Sequence, residues 1–217
     1  LLDEAHHIKN RGTAAAKAAC ALKADRRWAL TGTPVHNSLD DLLALLPGSR
    51  LQEIERMLPC LTEAAQHMPH LVPVIAGAPG RQPSDYPTDF PVLFGETAAL
   101  YRHASAGIIT SGTATLEAAL HGLPQVGAYR TSGITYRLAK WFTQVRYISL
   151  VNLILEREAV PERIQQDCTP SALAGTLHKV LSAEGQQAQS EAHRALREAL
   201  STKGAAQAVA RGLLRQP

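Results

Sequence analysis

The residue order predicts an α/β fold, a Rossmann-like parallel sheet flanked by helices. Three observations lead there. Short apolar runs alternate with amphipathic stretches of roughly 10–15 residues, the pattern of parallel strands joined by crossover helices. Glycine stands where strands hand over to helices, at Pro47-Gly48-Ser49 and Ser111-Gly112-Thr113. The balance of 45% hydrophobic and 19% charged residues over 217 positions can bury a core of that size.

Residues 1 to about 43 hold a short apolar start, an Ala-rich helical stretch (Thr13 to Lys23), the strand-like Arg27-Trp28-Ala29-Leu30 and the turn Thr31-Gly32-Thr33-Pro34. After Pro47 the texture changes to strand, glycine turn and helix. Leu45-Leu46 ends a strand. Arg50 to His67 reads as a helix with Ile54, Met57, Leu58 and Leu61 on one face, and Pro59 is expected to kink or interrupt it. Leu71 to Ala76 reads as a strand in which Pro73 suggests an edge or a bulge. Gly77 to Asp89, rich in Pro and Gly, is a loop.

Pro91 to Phe94 then reads as a strand, Thr97 to His103 as a helix and Gly107 to Thr110 as a strand. The helix Thr113 to His121 is stopped by Gly122-Leu123-Pro124, and Gln125 to Tyr129 returns as a strand. A helix from about Ile134 to Phe142 and a strand from Tyr147 to Leu150 follow. From Pro170 the chain reads as helical, over Leu173 to Leu181 and then from about Glu184 to Leu214.

A net charge of +3 suits an anionic nucleotide or an acidic membrane surface equally. It falls short of the dense Lys/Arg stripes of a nucleic-acid binder. Cys20, Cys60 and Cys168 form neither a CxxC pair nor a Cys/His cluster at ligand spacing. No structural metal and no cofactor is therefore expected, and a reducing cytosol is the simplest setting. No apolar run approaches the ~20 residues of a membrane-spanning helix. The opening Leu-Leu-Asp-Glu, without an initiator Met or a basic leader, reads as the start of a fragment.

Ligands of such sheets bind beyond the carboxyl ends of the strands, where loops meet helix N-termini. At the first glycine turn, Gly48 permits close backbone approach and Arg50 offers a guanidinium fork for phosphate. At the second, Ser111-Gly112-Thr113-Ala114-Thr115-Leu116-Glu117 offers backbone amides at a positive helix end, with Glu117 one turn further in, where it can accept from ribose hydroxyls. Either turn alone is more often structural. Together on one sheet they point to a nucleotide.

Leu46-Pro47-Gly48-Ser49-Arg50 with Glu53-Ile54, then Ala76-Gly77-Ala78-Pro79, Ser111 to Leu120, Ala128-Tyr129-Arg130, Leu138-Ala139-Lys140, Tyr147 to Ile154 and Asp167-Cys168-Thr169-Pro170 occur in one order. That order resembles the lipid-A-disaccharide synthases over about 170 residues. The resemblance implies a GT-B glycosyltransferase, whose C-terminal domain holds the UDP donor. The implied reaction joins UDP-2,3-diacylglucosamine to lipid X, giving the lipid A disaccharide and UDP without a metal. It implies phosphate contact for Arg50, phosphate or nearby backbone contact for Ser111, Gly112 and Thr113, ribose contact for Glu117 and a place in the active-site lining for Asn152. Val151 stands where the family usually has proline.

The domain carrying the acceptor pocket and catalytic acid is not in this chain, so donor binding without transfer is expected. The lipid substrates imply a peripheral place at the cytoplasmic face of an inner membrane, with Arg137, Lys140, Trp141 and Phe142 on one helix as contributors. The C-terminal helix, with Ala192, Leu196, Leu200 and Ala208 at helical spacing, is expected to cross back to another domain or exchange with a partner subunit in a homodimer.

The first segment resembles something else. Leu1-Leu2-Asp3-Glu4 followed by Trp28 to Leu42, with Thr31-Gly32-Thr33-Pro34 inside, is similar to motifs two and three of SWI/SNF-type helicase-like ATPases. Asp3 and Glu4 would be the Walker B pair, but the loop GxxxxGK[ST] that cradles a triphosphate is absent. Nucleic acid is therefore not an expected partner. The expected organisation is residues 1–43, helicase-like, and 44–217, donor-binding, a chimera joined at about residues 43 to 46. Two other functions stay open: a DNA-dependent ATPase fragment and a nucleotide-binding module without turnover.

Overall fold

A computed structural model describes residues 42–131 and 147–202, all within one compact unit, Asp41–Pro217. The order is β1 (Leu42–Leu46), α1 (Leu51–Gln66), β2 (Val72–Gly77), β3 (Val92–Phe94), α2 (Thr97–His103), β4 (Ala106–Thr110), α3 (Thr113–His121), β5 (Gln125–Tyr129), α4 (Leu150–Leu155), β6 (Glu162–Ile164), α5 (Pro170–Leu181) and α6 (Ala183–Thr202). The strands form one sheet in the order β3-β2-β1-β4-β5-β6, every neighbouring pair parallel.

Central strands of a parallel sheet are covered on both faces, so their residues are apolar throughout. Leu42-Leu43-Ala44-Leu45-Leu46 shows this. Leu43 and Leu45 pack with Ile54, Met57 and Leu61 of α1 and Leu173 and Leu177 of α5. Ala44 and Leu46 point the other way, toward Leu100 and Tyr101 of α2 and Ala118 of α3. A third cluster joins Ala119 of α3, Val151 of α4, Val160, and Ala192 and Leu196 of α6.

Three expectations are corrected. Pro59 does not interrupt α1, which runs unbroken over 16 residues. The missing N–H falls on the exposed side of the helix, where water can satisfy the carbonyl one turn back. Pro73 lies in an interior strand, yet β3 pairs with only Ile75, Ala76 and Gly77. Pro73 faces β1 alone, so it occupies the end of β2 that has one free side. Tyr147 to Leu150 is not a strand: Ser149 caps α4, accepting from the amide of Val151 at 3.2 Å. The Glu162 carboxylate accepts from the amides of Ile148 and Ser149, which binds this segment to the start of β6. The sixth strand, Glu-Arg-Ile, is too short and polar to have been read as one. The expected helix at Ile134 to Phe142, the leading residues Asp3, Glu4, Thr31, Gly32 and Thr33, and the tail after Thr202 lie outside the described residues.

A side chain stands in where β6 falls short. Pairing with β6 covers Gly127, Ala128 and Tyr129, leaving the backbone of Gln125 with no strand beside it on that side. The carboxamide of Gln189, 3% exposed on α6, supplies both bonds. Its Oε1 accepts from the Gln125 amide at 2.8 Å and its Nε2 donates to the Gln125 carbonyl at 2.7 Å. Two buried backbone groups that would each cost about 1–3 kcal/mol unpaired are satisfied in this way.

Cys60 and Cys168, far apart in sequence, meet in the core as free thiols. The Cys60 thiol donates to the Cys168 carbonyl at 3.4 Å. It is kept protonated by its hydrogen bond with Cys168 and then by burial.

His193 of α6 is 1% exposed, with neither ring nitrogen hydrogen-bonded among the described residues. Burial first, and Arg197 second, push its pKa down from 6.5 to about 4. The unfolded chain takes the proton first as pH falls, so this contribution is complete above about pH 6.5 and is lost on the way to about pH 4. At about 1.4 kcal/mol per unit the loss is on the order of 3 kcal/mol. Urea denaturation between pH 7 and 4.5 is expected to show a steeper decline in the parent chain than in His193→Leu; equal slopes would contradict it.

Candidate functional site

Parallel strands deliver all their carboxyl ends to one edge of the sheet. In the centre, Leu46 of β1 pairs with Ile109 of β4, so the turn after Leu46 and the turn after Thr110 start side by side. Between them opens a crevice of about 640 Å³. Arg50, Ser111, Gly112, Thr113 and Glu117 all border it, together with Glu53, Tyr101, Thr110 and Tyr129 and the Ala76-Gly77-Ala78-Pro79 stretch that leaves β2.

The two turns are not equivalent. At the first, Gly48 has φ +114°, a conformation that side-chain-bearing residues rarely adopt, and a Cβ there would lie 2.7 Å from Glu53. The Glu53 carboxylate is folded back under the turn, accepting from the amides of Ser49 at 3.1 Å and Arg50 at 3.2 Å. Those amides are therefore already occupied, which corrects the expectation that this backbone serves a phosphate. Arg50 remains the turn's contribution. Its exposed guanidinium sits 3.6 Å from Glu53, a contact weak enough to be exchanged.

The second turn is open. Gly112, the N-cap of α3, has extended backbone and no side chain caps the helix. A Cβ at Gly112 would meet nothing within 4 Å. Beside it, the hydroxyls of Thr110 and Ser111 are buried with no hydrogen-bond partner among the described residues, and Thr110 is 8% exposed. Buried hydroxyls are rarely left so. An uncapped first turn, two unpartnered hydroxyls and free space are what a bound anion would complete.

The walls differ in character. Tyr101, 3% exposed, has its phenol pushed up by burial and then by the Glu117 carboxylate, and its ring lies 5.7 Å from that of His121. Tyr86 steadies the opposite rim, its hydroxyl accepting from the Ala78 amide at 2.8 Å. No group of His, Cys, Asp and Glu able to hold a metal occurs among the described residues.

Asn152 is not brought to the crevice. It is 0% exposed; its Oδ1 accepts from the amides of Ala159 and Val160 at 2.8 Å each, and its Nδ2 donates to the Val160 carbonyl at 2.7 Å. Its place in the structure is to fasten the connection from α4 to β6. Thr110, Glu53 and Tyr101 border the site without having been singled out. A threonine ending an apolar strand just before Ser-Gly was a usable signal for the first, and a carboxylate three residues after the helix start was one for Glu53. Tyr101 carried no local signal.

A six-stranded parallel sheet in this order defines a class, the doubly wound Rossmann-like fold that GT-B glycosyltransferases also use. Two solved structures share it: the calicheamicin glycosyltransferase CalG4, with TM-score 0.54 and 16% identity over 84% of this chain and 44% of its own, and the glycotransferase of kitacinnamycin, with TM-score 0.52 and 16% identity over 88% and 46%. Within that class the sequence is more particular. The lipid-A-disaccharide synthetase family model matches residues 35–214, and the chain belongs to that family. The lipid-A-disaccharide synthase of Pseudomonas aeruginosa strain LESB58 is 38% identical over 200 residues, 85% of this chain and 52% of that protein. The chain thus spans about half the length of the curated relatives it matches. Residues 1–52 match the model of the SNF2-related domain, overlapping the first match over 35–52.

The two glycines separate cleanly by substitution. Gly48→Ala is expected to lower the melting temperature, by strain and collision with Glu53 amounting to about 1–3 kcal/mol. Gly112→Ala is expected to leave it within about 0.5 kcal/mol of the parent. Thermal melts of the two proteins decide it, and a large loss in Gly112→Ala would contradict the open geometry of that turn.

Proposed function

We propose that the crevice binds the diphosphate of a UDP sugar, making this chain the donor-binding half of a lipid A disaccharide-forming glycosyltransferase. The observation that carries the reading is the first turn of α3, capped by no side chain among the described residues and opening on the crevice that Thr110 and Ser111 also line. In this reading the amides of Gly112 and Thr113 hold one phosphate, with Ser111 beside them tied by its own amide to the Ala128 carbonyl at 2.8 Å, and Arg50 swings from Glu53 to the other. Glu117, one helical turn deeper, accepts from the ribose hydroxyls. Helix dipole and guanidinium then stabilise the charge that gathers on the diphosphate as the sugar departs.

Family membership supports the finer assignment: 2,3-diacylglucosamine as the transferred sugar, lipid X as acceptor and UDP as the product. On this reading the acceptor pocket and the catalytic acid lie on another domain of the enzyme. The boundary at about residues 43 to 46, the cytoplasmic peripheral location and pairing with a second copy belong to the same proposal. No helix among the described residues is long and apolar enough to cross a membrane.

Calorimetric titration tests the core of it. UDP is expected to bind saturably, with Arg50→Ala and Glu117→Ala each weakening it by about tenfold and Gly112→Ala by at least as much through its intruding methyl group. Absence of UDP binding overturns the proposal. ATP hydrolysis stimulated by duplex DNA would instead favour the helicase-like first segment. Disaccharide formation on adding a separately expressed acceptor domain separates an enzyme half from a binding module.

A further inference from the structure

A line of hydrogen bonds runs from α6 through the sheet to the open turn. Gln189 holds both backbone groups of Gln125. The Gln125 carboxamide, 0% exposed, reaches up from the foot of β5 and donates to the Thr115 carbonyl in the first turn of α3 at 2.9 Å. The Thr115 hydroxyl, also 0% exposed, donates to the carbonyl of Gly112 at 2.8 Å. Gly112 borders the crevice; Thr115, Gln125 and Gln189 do not.

We propose that Gln125 and Thr115 are positioning residues for the phosphate turn, with Gln189 of the C-terminal helix fixing Gln125 in place. The proposal rests on the reading of that turn as the site of the diphosphate. The physical reason lies in what the turn lacks. Among the described residues no side chain caps α3 and a Cβ at Gly112 would meet nothing within 4 Å, so the ordinary devices that fix a helix N-terminus are absent there. A capping side chain would occupy the amides that the anion needs. The turn is instead held from behind, through the carbonyls of Gly112 and Thr115 and through the Ser111 amide, which donates to the Ala128 carbonyl at 2.8 Å, while no side chain among the described residues caps the amides of the first helical turn. Polar groups with no contact to a ligand can in this way set the direction of those that have it.

The arrangement also explains why a buried carboxamide occurs at Gln125. An apolar residue there would leave the Thr115 carbonyl without this bond to the sheet.

Thr115→Val removes the hydroxyl at nearly constant shape, and Gln125→Met removes the strut at similar length. Titration of the full chain with UDP and, separately, with uridine reads the phosphate contribution apart from the base and ribose. Both variants are expected to weaken UDP about tenfold while uridine changes by less than about twofold, and Thr115→Ser is expected to restore UDP binding. Thermal melts confirm that each variant is folded. Unchanged UDP affinity in folded Thr115→Val and Gln125→Met overturns the inference, as does an equal loss for UDP and uridine, which marks general damage to the fold. Failure of the parent chain to bind UDP is a different result: it removes the proposed function, and this inference with it.

Discussion

The pairing of β1 with β4 is the constraint on which the rest depends. The sheet grows from that pair in two directions, through β2 and β3 on one side and β5 and β6 on the other. The connections after β1 and β4 therefore diverge and leave a gap above the carboxyl ends. No single residue makes the crevice. It follows from strand order, and strand order follows from the apolar run Leu42 to Leu46, which must be covered on both faces.

Given that gap, the two bordering turns solve opposite problems. The turn before α1 satisfies its own amides with Glu53 and needs glycine because carboxylate and backbone are so close. The turn before α3 spends the Ser111 amide on the Ala128 carbonyl but has no side-chain cap among the described residues, and has glycine where none is needed for conformation or for room within the chain. A self-contained turn gives rigidity at one wall, while an unsatisfied one has charge-binding capacity at the other. The contrast is local in origin: the carboxylate three residues into α1 is Glu53, whereas its counterpart in α3 is Thr115, whose hydroxyl turns back to a carbonyl.

Much of this was legible from residue order. The bounds of α2, α3 and β5 could be read because each is a clear run between glycine or proline punctuation, and the crevice does gather Arg50, Ser111, Gly112, Thr113 and Glu117. The failures have physical causes. Pro59 and Pro73 are judged by what they cannot donate, but only the fold shows that the lost bonds face solvent or a free strand side. Tyr147 to Leu150 has strand composition, and a distant carboxylate, Glu162, helps make it the lead-in to a helix. Asn152 carries a polar side chain of the kind found in active sites; three backbone bonds, none visible in sequence, place it in the core. Gln125 and Gln189 are 64 positions apart, and nothing along the chain foretells that one completes the other's ladder.

Cys60 and Cys168 have a use as reporters. They close the space between α1 and the start of α5, on the face of the sheet opposite α3, and neither is accessible while that face is intact. With Cys20 replaced, an aromatic disulfide reagent in excess can reach them only when α1 lifts from α5. The rate of colour development then counts openings of the layer beneath the crevice. The chain thus carries a native clock for its own breathing, one that can be read with and without a nucleotide in solution and without adding any label to the site itself.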